Sequence, residues 1–179
     1  MTGARFKFAA LTAFGLGMLR PAPGTWGSLP PAAAAWLLLL AGAPAVVREL
    51  SLALVCCVAC AVCLAWGAWG EVRLARKDAR QIVADEVAGM CLPLLLWPQA
   101  FADRCAALGP DRIAWDAVLR STLAVLAAFL LFRVFDILKP PPARAVQRIA
   151  GGAGILLDDL IAGAYSAAIV QVVLRLFDP

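Results

Sequence analysis

Long apolar runs separated by compact polar connections set the plan of this 179-residue chain. Residues 30–47 form a first apolar stretch, short and flanked by proline. Residues 50–69 form a second that is long enough to cross a bilayer, which takes about 20 apolar residues in a helix. Further runs occupy residues 87–98, 113–135 and 155–177, and the five together predict an all-α bundle. The first two are expected to form a helical hairpin, with residues 30–47 either spanning or re-entering. Residues 71–84 (EVRLARKDARQIVA) are charged and helix-prone, and are expected to lead directly into the third run. Pro140, Pro141 and Pro142 are expected to end the fourth helix, because the residue before a proline avoids the α region and proline has no N–H to donate.

Composition fixes the solvent. A hydrophobic fraction of 63% and a mean hydropathy of +0.85 lie well above the roughly 45–50% apolar content of soluble domains. This reads as an integral membrane protein, and a bundle of about four or five spanning helices uses nearly all of residues 1–179 as a single domain. The net charge of +4 comes mostly from arginines between apolar segments. That suits lipid headgroups; there is no aromatic-interleaved basic patch for nucleic acid. With the N-terminus inside and five crossings, eleven of the sixteen basic residues, counting Arg133 at the inner end of the fourth run, fall on the inner side, which places residues 1–29, 70–86 and 136–156 together at the cytoplasmic face. Cys56, Cys57, Cys60 and Cys63 share one apolar run, where a thiol packs as a small hydrophobe, and Cys91 and Cys105 are too scattered for a zinc site. Proline and glycine interrupt the segment after Arg5 and Lys7, so no cleaved signal peptide is expected.

Against this background three carboxylate clusters stand out, each beside an apolar run: Asp85 with Glu86, Asp136, and Asp158 with Asp159. Ionisable groups at such a boundary are costly and point to function. The chain has no histidine, so clustered hard oxygens suit a hard cation such as Mg²⁺. Duller readings compete. Asp85 and Glu86 also suit the positive end of a helix dipole. Adjacent Asp158 and Asp159 repel each other unless a cation or proton offsets them. Gly151, Gly152 and Gly154 ahead of them fit either a hinge or a backbone approach to phosphate. Arg133, Asp136 and Lys139, at helical spacing, put an acid between two cations on one face, which fits a metal-bound phosphate or a helix-end ion pair. The segment around Gly24, Thr25, Gly27 and Ser28 reads as a rigid turn before a helix start, able to take phosphate oxygens or merely to connect. Gly89 and Gly163, each four residues after an acid, allow close helix approach.

Four blocks in order, PAPGTWGSLP at 21–30, ADEVAGM at 84–90, FRVFDILKPPP at 132–142 and GGAGILLDDLIAGAYSA at 151–167, closely resemble the bacterial phosphatidylglycerophosphatase A family. The resemblance runs from about Phe14 to Ile169. It implies a multi-pass inner-membrane lipid phosphatase that requires Mg²⁺ and converts phosphatidylglycerophosphate into phosphatidylglycerol and inorganic phosphate. Carried onto the matching positions, it implies metal ligation by Asp85, Glu86, Asp136, Asp158 and Asp159. It also implies phosphate contacts from Arg133, Lys139 and the turn of Gly24, Thr25, Gly27 and Ser28. Cysteine-based phosphatase chemistry is excluded because no cysteine begins Cys-x5-Arg, and histidine-based chemistry because no histidine exists. Two other classes stay open: a CDP-alcohol phosphotransferase, whose DxxDGxxAR signature is missing here, and an ion-coupled transporter, which predicts acids spread through the membrane depth. No oligomeric state follows from the sequence.

Overall fold

The computed structural model describes residues 3–77, 79–107 and 113–177. Among them every regular element is helical: α1 (Gly3–Leu11), α2 (Pro23–Leu40), α3 (Ala45–Arg73), α4 (Ala84–Cys91), α5 (Gln99–Arg104), α6 (Trp115–Leu138), α7 (Ala143–Val146) and α8 (Gly152–Phe177). The all-α bundle is as expected. Three helices, α3, α6 and α8, are long and apolar enough to cross a membrane. On α6, Leu119, Leu123, Leu126 and Leu130 recur at spacings of three and four and are exposed on the outer face. Such a stripe is stable where lipid is the solvent.

The first apolar stretch does not stay whole. α2 starts seven residues earlier, at Pro23, and passes through Pro30 and Pro31. It closes at Leu40, and Gly42 and Pro44 then turn the chain into α3, giving the expected hairpin.

Two other expectations need correction. Residues 71–84 are not one helix leading into the third run: α3 stops at Arg73 and the chain loops until α4 begins at Ala84. Burial of Ala79, Ile82 and Val83, together with a 2.9 Å bond from the Val83 amide to the Leu11 carbonyl, folds this segment against α1. Tertiary packing there outweighs helix propensity. Nor is the run at 87–98 a single helix. α4 ends at Cys91, a 3-10 turn takes Leu92–Leu94 with Pro93 inside it, and Leu96 follows with φ of +60°. Proline removes the donor that would have continued the α-helix. The proline block after α6 acts as expected, since the helix stops at Leu138.

α4 and its 3-10 turn pack among α2, α3, α6 and α8. Met90 and Cys91 there are wholly buried. α2, α4 and α8 begin, and α3 and α6 end, near one pole of the bundle. At the opposite pole, Gln171 donates to the Leu95 carbonyl at 2.6 Å, Arg48 donates to Gln99 at 3.2 Å, and the Leu96 amide donates to Glu49 at 2.9 Å.

Candidate active site

Helix-on-helix contact brings the acids together. An added Cβ on Gly89 of α4 would lie 2.6 Å from the Asp159 carbonyl of α8, and one on Gly163 would lie 2.3 Å from the Gly89 carbonyl. Only glycine permits this approach. One helical turn before each glycine stand Asp85 and Asp159, so the two backbones meet just below the point where the carboxylates converge. Carboxylate oxygens of Asp85, Glu86 and Asp159 all lie within 4.8 Å of one another. Asp85 and Asp159 are buried, and Glu86 is partly so.

Such a trio is unstable by itself. Burial first, and then repulsion from Asp159, pushes the Glu86 carboxyl up to about 8. Oε2 of Glu86 and Oδ2 of Asp159 are buried without a hydrogen-bond partner. Unsatisfied buried oxygens of this kind, close together and all hard, fit a divalent hard cation.

Asp136 and Asp158 have different neighbours. Asp136 sits near the carbonyl end of α6, where the helix dipole disfavours an anion. Two cations offset that: Arg133 Nη1 lies 2.8 Å from its Oδ2, and Lys139 Nζ lies 3.9 Å from its Oδ1. Asp158 accepts from Lys139 and, at 2.8 Å, from Gln147. Burial, the largest single influence, weakens the Lys139 ammonium, but its bond to Asp158 and the negative charges of Asp158, Asp159 and Asp136 together outweigh burial and keep the group protonated. Lys139 caps α6 in a left-handed conformation, φ +47°, which aims its side chain back at these two acids. The five acids named as metal ligands thus divide into a trio that faces itself and a pair that faces cations.

A cavity of about 490 Å³ opens over the trio. Asp85, Glu86 and Asp159 line it, with Arg133 and Lys139 on the α6 side and Pro21, Ala22, Pro23 and Gly24 opposite. Ile137, 71% exposed on the outer surface of α6, also forms part of its wall. Gly24 comes close to the chemistry: a Cβ there would sit 2.3 Å from Glu86 Oε1 and 2.9 Å from Arg133 Nη1. Its companions do not reach the cavity. Residues 25–28 are the first turns of α2, not a loop. Helical periodicity therefore turns Gly27 onto Val83, while Ser28 is buried, donates to the Gly24 carbonyl at 2.8 Å and accepts from Arg133 at 3.5 Å. Thr25 is half-buried and not part of the cavity wall. Gly152 packs against the Cys63 carbonyl of α3 and so serves helix contact, while Gly154 lies against the Ile149 carbonyl of the preceding connection.

Sequence reasoning missed three polar contributors. Arg76 and Arg80 line the cavity, and Gln147 holds Asp158. The arginines counted only as orientation charges; their four-residue spacing just ahead of Asp85 was the sole hint.

The sequence pattern of the family described as phosphatidylglycerophosphatase A matches residues 9–174. A Haemophilus influenzae protein named phosphatidylglycerophosphatase A is 33% identical over 88% of this chain and 82% of its own length. An Escherichia coli protein of the same name is 32% identical, covering 88% and 77%. A Bacteroides thetaiotaomicron protein named putative phosphatidylinositol-3-phosphatase is 36% identical over 54% of this chain, and the match spans about half of that relative, 49%. No solved structure matches the chain. Sequence pattern, relatives and the all-helical membrane fold lead to one assignment: the chain belongs to the phosphatidylglycerophosphatase A family.

Proposed function

We propose that this protein is a Mg²⁺-dependent lipid phosphatase that removes the terminal phosphate of phosphatidylglycerophosphate, giving phosphatidylglycerol and inorganic phosphate at the cytoplasmic face of the bacterial inner membrane. One observation carries the reading: carboxylates from two helices meet within 4.8 Å in a cavity that also holds Arg133 and Lys139, at one pole of an apolar bundle. The basic residues gathered near that pole support a cytoplasmic orientation.

Asp85, Glu86 and Asp159 would hold the cation. When bound, it supplies Lewis-acid polarisation of the phosphoryl group and orients a water. The residues of the chain do the rest. Arg133 and Lys139 bind phosphoryl oxygens and offset the charge that develops on them. Asp136, Asp158, Gln147 and Ser28 hold those two cations in position. Gly24, having no Cβ, lets the Glu86 carboxylate and the Arg133 guanidinium come up against the start of α2 at the cavity wall. Hydrolysis breaks the bond from phosphorus to the terminal glycerol oxygen and forms one to the water oxygen; the glycerol oxygen leaves with a proton. A transporter would need acids along its depth, whereas the buried carboxylates Asp85, Asp136, Asp158 and Asp159 gather at one pole.

Phosphate release by purified protein tests this reading. Phosphatidylglycerophosphate, phosphatidic acid and a phosphatidylinositol phosphate are compared with Mg²⁺ and with EDTA. Release from phosphatidylglycerophosphate in Mg²⁺, abolished by EDTA, is expected. Full activity in EDTA, or none on any lipid phosphate, would sink it.

A further inference from the structure

The cavity is larger than one phosphate requires. Sites of roughly 300–1,000 Å³ accept whole small molecules, so about 490 Å³ suits an entire headgroup. Its cations fall into two sets. Arg133 and Lys139 are tied to Asp136 and Asp158 next to the acidic trio. Arg76 and Arg80 reach the cavity from the α3–α4 connection, are exposed, and make no ion pair among the described residues.

That connection is anchored. Ala79, Ile82 and Val83 are buried, the Val83 amide is bonded to Leu11, and the Gln81 carbonyl sits where a Cβ on Gly17 would lie, 2.2 Å away. Arg80 therefore projects from a packed base, and Arg76, whose amide is bonded to the Glu71 carbonyl at 3.1 Å at the end of α3, reaches into the same space as the trio. An exposed guanidinium that makes no ion pair among the described residues is a ready partner for a phosphate oxygen.

We propose that Arg76 and Arg80 form a second anion subsite in this cavity, which binds the phosphodiester of a lipid whose phosphomonoester lies against Arg133 and Lys139. The inference rests on the phosphatase reading above and deepens it. Lipids with both groups, such as phosphatidylglycerophosphate, engage both sets of cations; phosphatidic acid, with a monoester alone, engages one. Arg76 and Arg80 thus set specificity and do not touch the scissile bond.

Steady-state kinetics on phosphatidylglycerophosphate, with melting temperatures recorded for each protein, test it. The variants are R76Q/R80Q, the charge-retaining R76K/R80K, and R73Q/K77Q, which removes equal charge from the same stretch outside the cavity. The R76Q/R80Q protein should show KM raised about tenfold or more with kcat within about threefold of wild type. R73Q/K77Q should keep the wild-type KM, and R76K/R80K should lie much nearer wild type than the glutamine pair. An unchanged KM in R76Q/R80Q, an equal rise in R73Q/K77Q or R76K/R80K, or a loss confined to kcat would overturn the subsite. A wild-type protein that releases no phosphate from this lipid fails at an earlier point, and sinks the phosphatase reading itself.

Discussion

Glu86 concentrates the electrostatic problem of the site in one carboxyl group. Its affinity for a proton is raised by burial and by Asp159, from an ordinary 4.5 to about 8. Between those values the folded protein holds a proton that the unfolded chain releases, so without a divalent cation stability falls as pH rises through this window. Melting curves of the metal-free protein in detergent should show a transition that drops between pH 5 and pH 8.5, with a shallower slope in Glu86→Gln. An unchanged slope would mean that other groups carry the pH dependence. The Glu86→Gln protein should also lose most phosphatase activity, because the substitution removes one of the three charges proposed to attract the cation. At this scale the acids were legible in the sequence, since a carboxylate beside an apolar run has few structural uses. Gly27 and Ser28 were misread because a segment rich in glycine and proline resembles a loop. Pro23, at the first position of α2, instead starts a helix there, which turns Gly27 onto Val83 and the Ser28 hydroxyl onto the Gly24 carbonyl.

Between elements, the decisive contact is that of α4 with α8. Gly163→Ala places a methyl 2.3 Å from the Gly89 carbonyl, a distance that only backbone movement can relieve. Overpacking of this kind costs about 1–3 kcal/mol. The separation of Asp85 from Asp159 must grow with it, and a displacement near 1 Å at a reacting centre can cost about 100-fold in rate. Melting temperature should fall by several degrees and turnover by a larger factor; a fully active Gly163→Ala protein would refute the contact. The possibility of this approach was visible in the spacing of each glycine from its acid. The long, uniformly apolar helices were equally visible, because length and hydropathy suffice to identify them. α4 was not. Its start depends on Ala79, Ile82 and Val83 docking elsewhere, and its end depends on Pro93; only the second was written locally.

Across the whole molecule, two unlike surfaces meet at one pole. Apolar helix faces run up to the level of Ile137 and Leu138, and beyond them come Lys139, the acids and the arginines of the α3–α4 connection. The count of basic residues foretold that the acidic segments share one pole. The cavity between them was beyond reach, because it arises from chain segments more than one hundred residues apart, Gly24 and Arg133 among them.

Ile137 belongs at once to the cavity wall and to the outer flank of α6. A chamber with such a border is open sideways, so a phospholipid can slide its headgroup in while its tails remain among their neighbours. Encounter then takes place in two dimensions. In mixed micelles, the rate should track the mole fraction of substrate in the surface and stay nearly constant when bulk concentration changes at fixed mole fraction. It should also be insensitive to acyl length, and the dephosphorylated lipid should return to the leaflet it came from.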